Sequence, residues 1–149
     1  MKRYFEDFFI GETIIMGPRT VSKDEIVTFA KRYDPQPFHL DEEAGKATPF
    51  GGLVASGWHT IALSMRLMVD GWVGDSASMG SPGIDRLRWL KPVRPNDSLT
   101  LTMIVCEIVP SKSKPDRGIV KSDYELKNGT GDIVMTFSGM GMYGRRPAA

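Results

Sequence analysis

Wound as a helix, the run from Gly57 to Gly71 is apolar on more than one side. Trp58, Ile61, Ala62, Met65, Met68, Val69 and Trp72 fall at steps of three and four, and Leu63 and Leu67 add apolar character on a second face. A helix of that kind is buried, not laid on a surface. Something must therefore cover it, and the residues that follow change period. Ile84–Lys91 reads as a strand with mixed faces, stopped by Pro92 and Pro95. Leu99–Val109 opens with the two-residue alternation LTLTM. The polar stretch PSKSKPDRG (110–118) reads as a solvated hairpin tip, and Ile119–Leu126 as the returning strand. Asn128–Gly129 is a strong turn signal, and Ile133–Tyr143 forms the last strand. With a short strand at Thr13–Gly17, closed by Gly17–Pro18, the expected architecture is α+β: an antiparallel sheet of about five strands curved around one long helix. A chain of 149 residues fits one domain, 1–149.

The first helix carries the clearest local signal. Ser22 stands at the capping position, Glu25 at the capping-box spacing, and Val21 and Ile26 at the two positions of a hydrophobic staple. Ile26, Phe29, Ala30 and Tyr33 then give one apolar face. Pro35 disfavours helical geometry in the residue before it, so this helix stops by Asp34. Pro37 is expected to keep the chain extended. Asp41 is a second cap, for a short helical turn ending at Gly45. Ser56 is the simplest cap for the long helix.

Between the two helices lies Tyr33–His59, YDPQPFHLDEEAGKATPFGGLVASGWH, which holds both histidines of the chain. Asp34 is fixed where a helix meets a proline-bent loop. Phe38 and Leu40 flank His39, which implies that the loop folds inward and carries an imidazole with it. His59 lies off the Trp58/Ile61/Met65 face and reads as structural or pocket-lining. No metal-ligand spacing appears, and no GxGxxG or phosphate-binding lysine loop is present.

These segments together resemble the MaoC-like dehydratases, the (R)-specific enoyl-CoA hydratase branch of the hot-dog fold. The similarity runs through YFEDFFIGE, RTVSKDEIVTFAKRYD, the motif DPQPFHLD with Asp34, Pro37, His39 and Asp41, then FGGLVASG and RLRWLKPVRPND. The motif departs from its commonest form at Gln36, where asparagine is usual, and at Ser56, where histidine often stands. The resemblance implies reversible syn addition of water across a trans-2-enoyl thioester of coenzyme A, giving an (R)-3-hydroxyacyl product. Asp34 and His39 match the catalytic pair. Gly57 matches the glycine whose N–H holds the thioester oxygen. A helix N-terminus is the right device for a developing enolate, and glycine permits close approach.

Coenzyme A enters as part of the substrate, with no separate cofactor implied. Its phosphates call for basic residues at the pocket mouth. Arg86, Arg88, Lys91 and Arg94 cluster after the long helix, with Arg86 and Arg88 expected to share one sheet face. Ser56, Arg86 and Arg88 complete the candidate substrate contacts. The resemblance also implies a homodimer with sheets joined side by side, and higher association of dimers stays open. Two rival functions share the scaffold: a hot-dog acyl-CoA thioesterase and a non-catalytic acyl-binding subunit.

Composition excludes other classes. Lys+Arg 19 against Asp+Glu 18 gives a net charge of +1, with no basic excess to attract nucleic acid. No apolar run is long enough for a secretion signal or a membrane span, so a cytosolic protein is expected. The lone Cys106 sits in an apolar run and is expected to be a buried small hydrophobe. The tail GRRPAA is expected to fray.

Overall fold

Ser22 Oγ accepts from the backbone N–H of Glu25 at 3.1 Å and opens the first helix, α1 (Lys23–Tyr33), as its capping spacing requires. The Glu25 carboxylate turns instead to Arg19, 3.2 Å away. In the computed structural model, which describes residues 1–149, α1 follows strand β1 (Thr13–Thr20). A short helix α2 (Glu42–Lys46) and the long helix α3 (Gly57–Gly71) come next, then β2 (Gly83–Trp89), β3 (Ser98–Pro110), β4 (Arg117–Lys127) and β5 (Ile133–Gly144). The strands form one five-stranded sheet in the order β1-β3-β4-β5-β2, with every pairing antiparallel. It wraps α3. This is the hot-dog architecture.

The period-two pattern places the core. Leu99, Leu101, Met103 and Val105 of β3 and Val120, Ser122, Tyr124 and Leu126 of β4 all point inward and are buried. Register sets Leu101 opposite Leu126 and Met103 opposite Tyr124. Tyr124 in turn stacks on Phe137 of β5, centroids 4.5 Å apart. These side chains receive the helix.

Which face of α3 they receive differs from the expectation. Leu63, Leu67, His59, Thr60 and Ser64 are the buried residues of the helix. The Trp58/Met65/Val69 face is exposed, Trp58 to 65%. Both faces are apolar, so periodicity alone cannot rank them. The small hydroxyls of Thr60 and Ser64 let the backbone approach the sheet, each bonding back to the carbonyl four residues earlier at 3.3 Å. Leu67 reaches β1, where its Cδ2 lies 3.4 Å from the position a Cβ would take on Gly17.

Other expectations are corrected by long-range pairing. Strand β1 does not close at Gly17–Pro18 but continues to Thr20, with a register shift between Met16 and Arg19. Pro37 begins a single 3₁₀ turn, Pro37–His39, so the chain is not extended there. Gly45 lies inside α2, not at its end. Tyr33 is 67% exposed, because α1 buries only Ile26 and Ala30. Cys106 is exposed. Leu99, Leu101, Met103 and Val105 point inward, so period-two alternation puts Cys106 on the outer face, where its Sγ lies 3.4 Å from Asp123 Oδ2. The tail is tied down as far as Arg146, where Arg146 pairs with Asp7 at 2.6 Å and Arg145 lies over the Phe5 ring.

The face assignment of α3 is testable by urea unfolding. Leu67→Ala should lower stability by about 3 kcal/mol, as for a buried leucine with incomplete collapse of the cavity. Val69→Ala, two residues on, should stay within about 1 kcal/mol. The reverse order would put the other face inside.

Candidate active site

Asp34 is the first residue past α1, held at φ −151°, ψ 69° by the proline that follows. Each of its carboxylate oxygens accepts one side-chain hydrogen bond. Oδ1 accepts from Gln36 Nε2 at 2.8 Å and Oδ2 accepts from Ser56 Oγ at 2.7 Å. The Ser56 hydroxyl, above all, holds the Asp34 carboxyl below the usual carboxylate range. Burial opposes this, while Gln36 and the His39 ring add to the lowering. Asp34 is an ionised group at neutral pH.

His39 ends the Pro37–His39 turn and is buried, with 5% of its surface exposed. Its Nδ1 lies 2.7 Å from the carbonyl oxygen of Val54. A carbonyl only accepts, so Nδ1 carries a proton, and when the ring is neutral Nε2 is the free nitrogen. Nε2 lies 3.3 Å from Asp34 Oδ2. An imidazole nitrogen and a carboxylate oxygen thus converge on one spot, which is the geometry for holding and polarising a water molecule.

The loop between them is laced to the scaffold through its backbone. Val54 N–H donates to Phe38 O at 3.2 Å, and Ala55 N–H to Val93 O at 2.8 Å. Asp41 caps α2 by accepting from Ala44 N–H at 2.9 Å. Gly45 lies so close to Gly52 that an added Cβ would stand 2.2 Å from the Gly52 carbonyl oxygen. Only glycine permits that approach.

Ser56 caps α3 as expected, its Oγ accepting from Trp58 N–H at 3.3 Å. It is fully buried and donates its own proton to Asp34. Gly57 is the first residue of α3, and its N–H points out of the helix end with no backbone acceptor. The helix dipole adds partial positive charge there. A His39–Asp34 pair beside a free backbone N–H at a helix start is the apparatus of a hydratase or dehydratase with an oxyanion hole.

Asp34, His39 and Gly57 line a cleft of about 420 Å³ together with Gln36, Phe38, Phe50, Trp58, Thr60, Trp89, Leu90 and Lys91, while Ser56 is buried behind Asp34 and does not border it. Arg86 and Arg88 do not border it. They lie exposed on the outer face of β2, where Arg86 donates to Ser138 Oγ at 2.6 Å and faces Asp123. Arg94 donates to Phe50 O at 2.5 Å beside the cleft loop. His59 is buried and stacked on Phe29, centroids 4.7 Å apart, in a structural position. Burial pushes its imidazole down, Glu25 raises it and Arg19 lowers it further. Groups of three or more His, Cys, Asp or Glu that could hold a metal are absent.

Two contributors escaped the sequence reading. The Val54 carbonyl that fixes the imidazole is backbone and leaves no side-chain signal. Trp89 is 47% exposed, and its indole Nε1 donates to Gly57 O at 3.0 Å. That contact spans 32 residues and no local pattern announces it.

The MaoC like domain model matches residues 8–125. A 3-hydroxybutyryl-CoA dehydratase of Methylorubrum extorquens is 31% identical over 112 residues, covering 74% of this chain and 69% of the relative. An (R)-specific enoyl-CoA hydratase of Rhodospirillum rubrum is 30% identical over 115 residues, covering 73% and 74%. The crystal structure of a MaoC-like dehydratase from Rhodospirillum rubrum superposes with a TM-score of 0.88 at 40% identity, covering 97% of this chain and 99% of that one. With the Asp34–His39 pair and the open helix start already in place, the chain belongs to the MaoC-like dehydratase family.

Proposed function

We propose that the protein hydrates a trans-2-enoyl thioester of coenzyme A, reversibly, to the (R)-3-hydroxyacyl thioester. The observation that carries this is the convergence of His39 Nε2 and Asp34 Oδ2 at 3.3 Å. A water lodged against both is polarised from two sides. As its oxygen bonds to the β-carbon, one of its protons passes to the pair. The electrons of the double bond move onto the thioester oxygen, and Gly57 N–H stabilises the resulting enolate. The pair then returns one proton to the α-carbon on the same face, leaving the water's second hydrogen on the new hydroxyl. Atoms and charge balance without any other reactant.

The substrate class is supported by the two curated relatives, a dehydratase and a hydratase of CoA thioesters. Lys91 and Arg94 stand beside the cleft as partners for the phosphates of coenzyme A. Arg86 and Arg88 would serve that role only toward a substrate bound against the outer face of β2. Strand β2 is an edge of the sheet, with Ile84, Trp89 and Leu90 exposed along and just after it. We assign that edge, with the exposed Trp58/Met65/Val69 face of α3, to a homodimer interface. No helix is long and apolar enough to cross a membrane. A single unpaired thiol suits a reducing compartment, and we place the protein in the cytosol.

Loss of the conjugated double bond is followed by ultraviolet absorbance with a panel of trans-2-enoyl-CoA thioesters, while free thiol is monitored in parallel. Absorbance should fall without thiol release. Asp34→Asn and His39→Ala should each lower kcat/KM by about 10²–10⁴-fold, the usual weight of a general acid–base group. Thiol release would reassign the protein as a thioesterase, and full activity in both variants would remove the pair from the chemistry. Sedimentation velocity should give the dimer, and Leu90→Glu on the proposed edge should return it to monomer.

A further inference from the structure

The hydrogen bonds around Asp34 do not end at Ser56. Trp89 Nε1–H donates to the Gly57 carbonyl at 3.0 Å. The N–H of that same peptide group, on Trp58, donates to Ser56 Oγ at 3.3 Å. The Ser56 hydroxyl donates to Asp34 Oδ2 at 2.7 Å, and that oxygen faces His39 Nε2. Every donor in this series points toward the carboxylate. Bonds aligned head to tail polarise one another, so a donor at the far end strengthens the bond at the near end.

The packing is as tight as the hydrogen bonding is directional. The Trp89 indole lies against Gly57, where an added Cβ would sit 2.5 Å from Cε2, 2.8 Å from Cζ2 and 2.9 Å from Nε1. Trp58 meets it edge to face, centroids 6.2 Å apart. Glycine at the start of α3 is thus required by the protein's own indole as well as by any substrate. Trp89 sits on β2, so the sheet edge presses on the first helical turn that carries the free N–H.

We infer that Trp89 is a positioning residue of the active site, which sets the first turn of α3 and acts through the Gly57–Trp58 peptide and Ser56 on the Asp34 carboxylate. The inference rests on the hydration reading for its consequence in turnover, while its physical part stands apart from that reading. The groups that face Asp34 are Gln36 Nε2, Ser56 Oγ and His39 Nε2, and Lys91 is the cation lining the same cleft.

The test is a carboxyl ¹³C NMR titration of Asp34 in the full-length protein, run beside steady-state kinetics. Trp89→Phe keeps an aromatic ring on Gly57 and removes only the donor. Its Asp34 midpoint should rise, by less than in Ser56→Ala. Its kcat should fall about fivefold, the weight of one neutral hydrogen bond, with KM changed less than about twofold. In the double variant the midpoint and kcat should match Ser56→Ala alone, because that change already cuts the series. Should Trp89→Phe fail to fold, Gly57→Ala displaces the indole from the other side and should move Asp34 in the same direction. An unmoved Asp34 midpoint, or effects of Trp89→Phe and Ser56→Ala that simply add, overturns the inference. A shifted midpoint in a protein that hydrates no enoyl thioester upholds the positioning role and removes the hydration reading instead.

Discussion

The bond from Ser56 Oγ to Asp34 Oδ2 holds the site together. It joins the residue that ends one helix to the residue that begins another, 22 positions later in the chain. Each end has its own reason to be there. Pro35 stops α1 and leaves Asp34 outside helical geometry, and the α3 N-terminus needs a hydroxyl to satisfy its first N–H groups. A hydrogen bond to a charged group contributes roughly 1.5–3 kcal/mol, and here both partners are largely removed from water. The same contact fixes the separation between acid and oxyanion donor.

The sheet makes that contact durable without touching it. Leu63 and Leu67 anchor α3 in the concave face, so its N-terminus cannot slide relative to β1 and β3. The loop carrying His39 is pinned by Val54 N–H to Phe38 O and by the close approach of Gly45 to Gly52. Catalytic groups held by backbone bonds and packed glycine keep their geometry before any ligand arrives, which is where electrostatic stabilisation gains its strength. The short loop therefore behaves as part of the scaffold.

Local chemistry was legible in the sequence wherever a feature is decided within one turn of chain. Ser22, Asp41 and Ser56 all cap as their spacing demands, and α3 runs over the residues its periodicity marks. The Asp34–His39 pair was legible as a motif. Features decided by distant partners were not. Two apolar faces of α3 compete for one concave sheet, and only the assembled sheet chooses between them. Cys106 is a different case: it lies at an outward position in step with Thr100, Thr102 and Ile104, and its apolar neighbours in sequence masked that parity. Arg145 and Arg146 are held by acids and aromatics at the opposite end of the chain. Trp89 met Gly57 through a crossover that no local window contains.

The bond from His39 Nδ1 to Val54 O has a further consequence. A ring with one nitrogen committed to a buried carbonyl has a single open port. Whatever proton it accepts at Nε2 has no exit through the far side of the ring, so it leaves by the way it came in. Trade with bulk water through the imidazole is closed while the cleft is filled. A hydrogen removed from the attacking water would then be retained in the product more often than a solvent-equilibrated ring would allow. The enzyme would carry an isotopic memory of each turnover, written by one carbonyl oxygen.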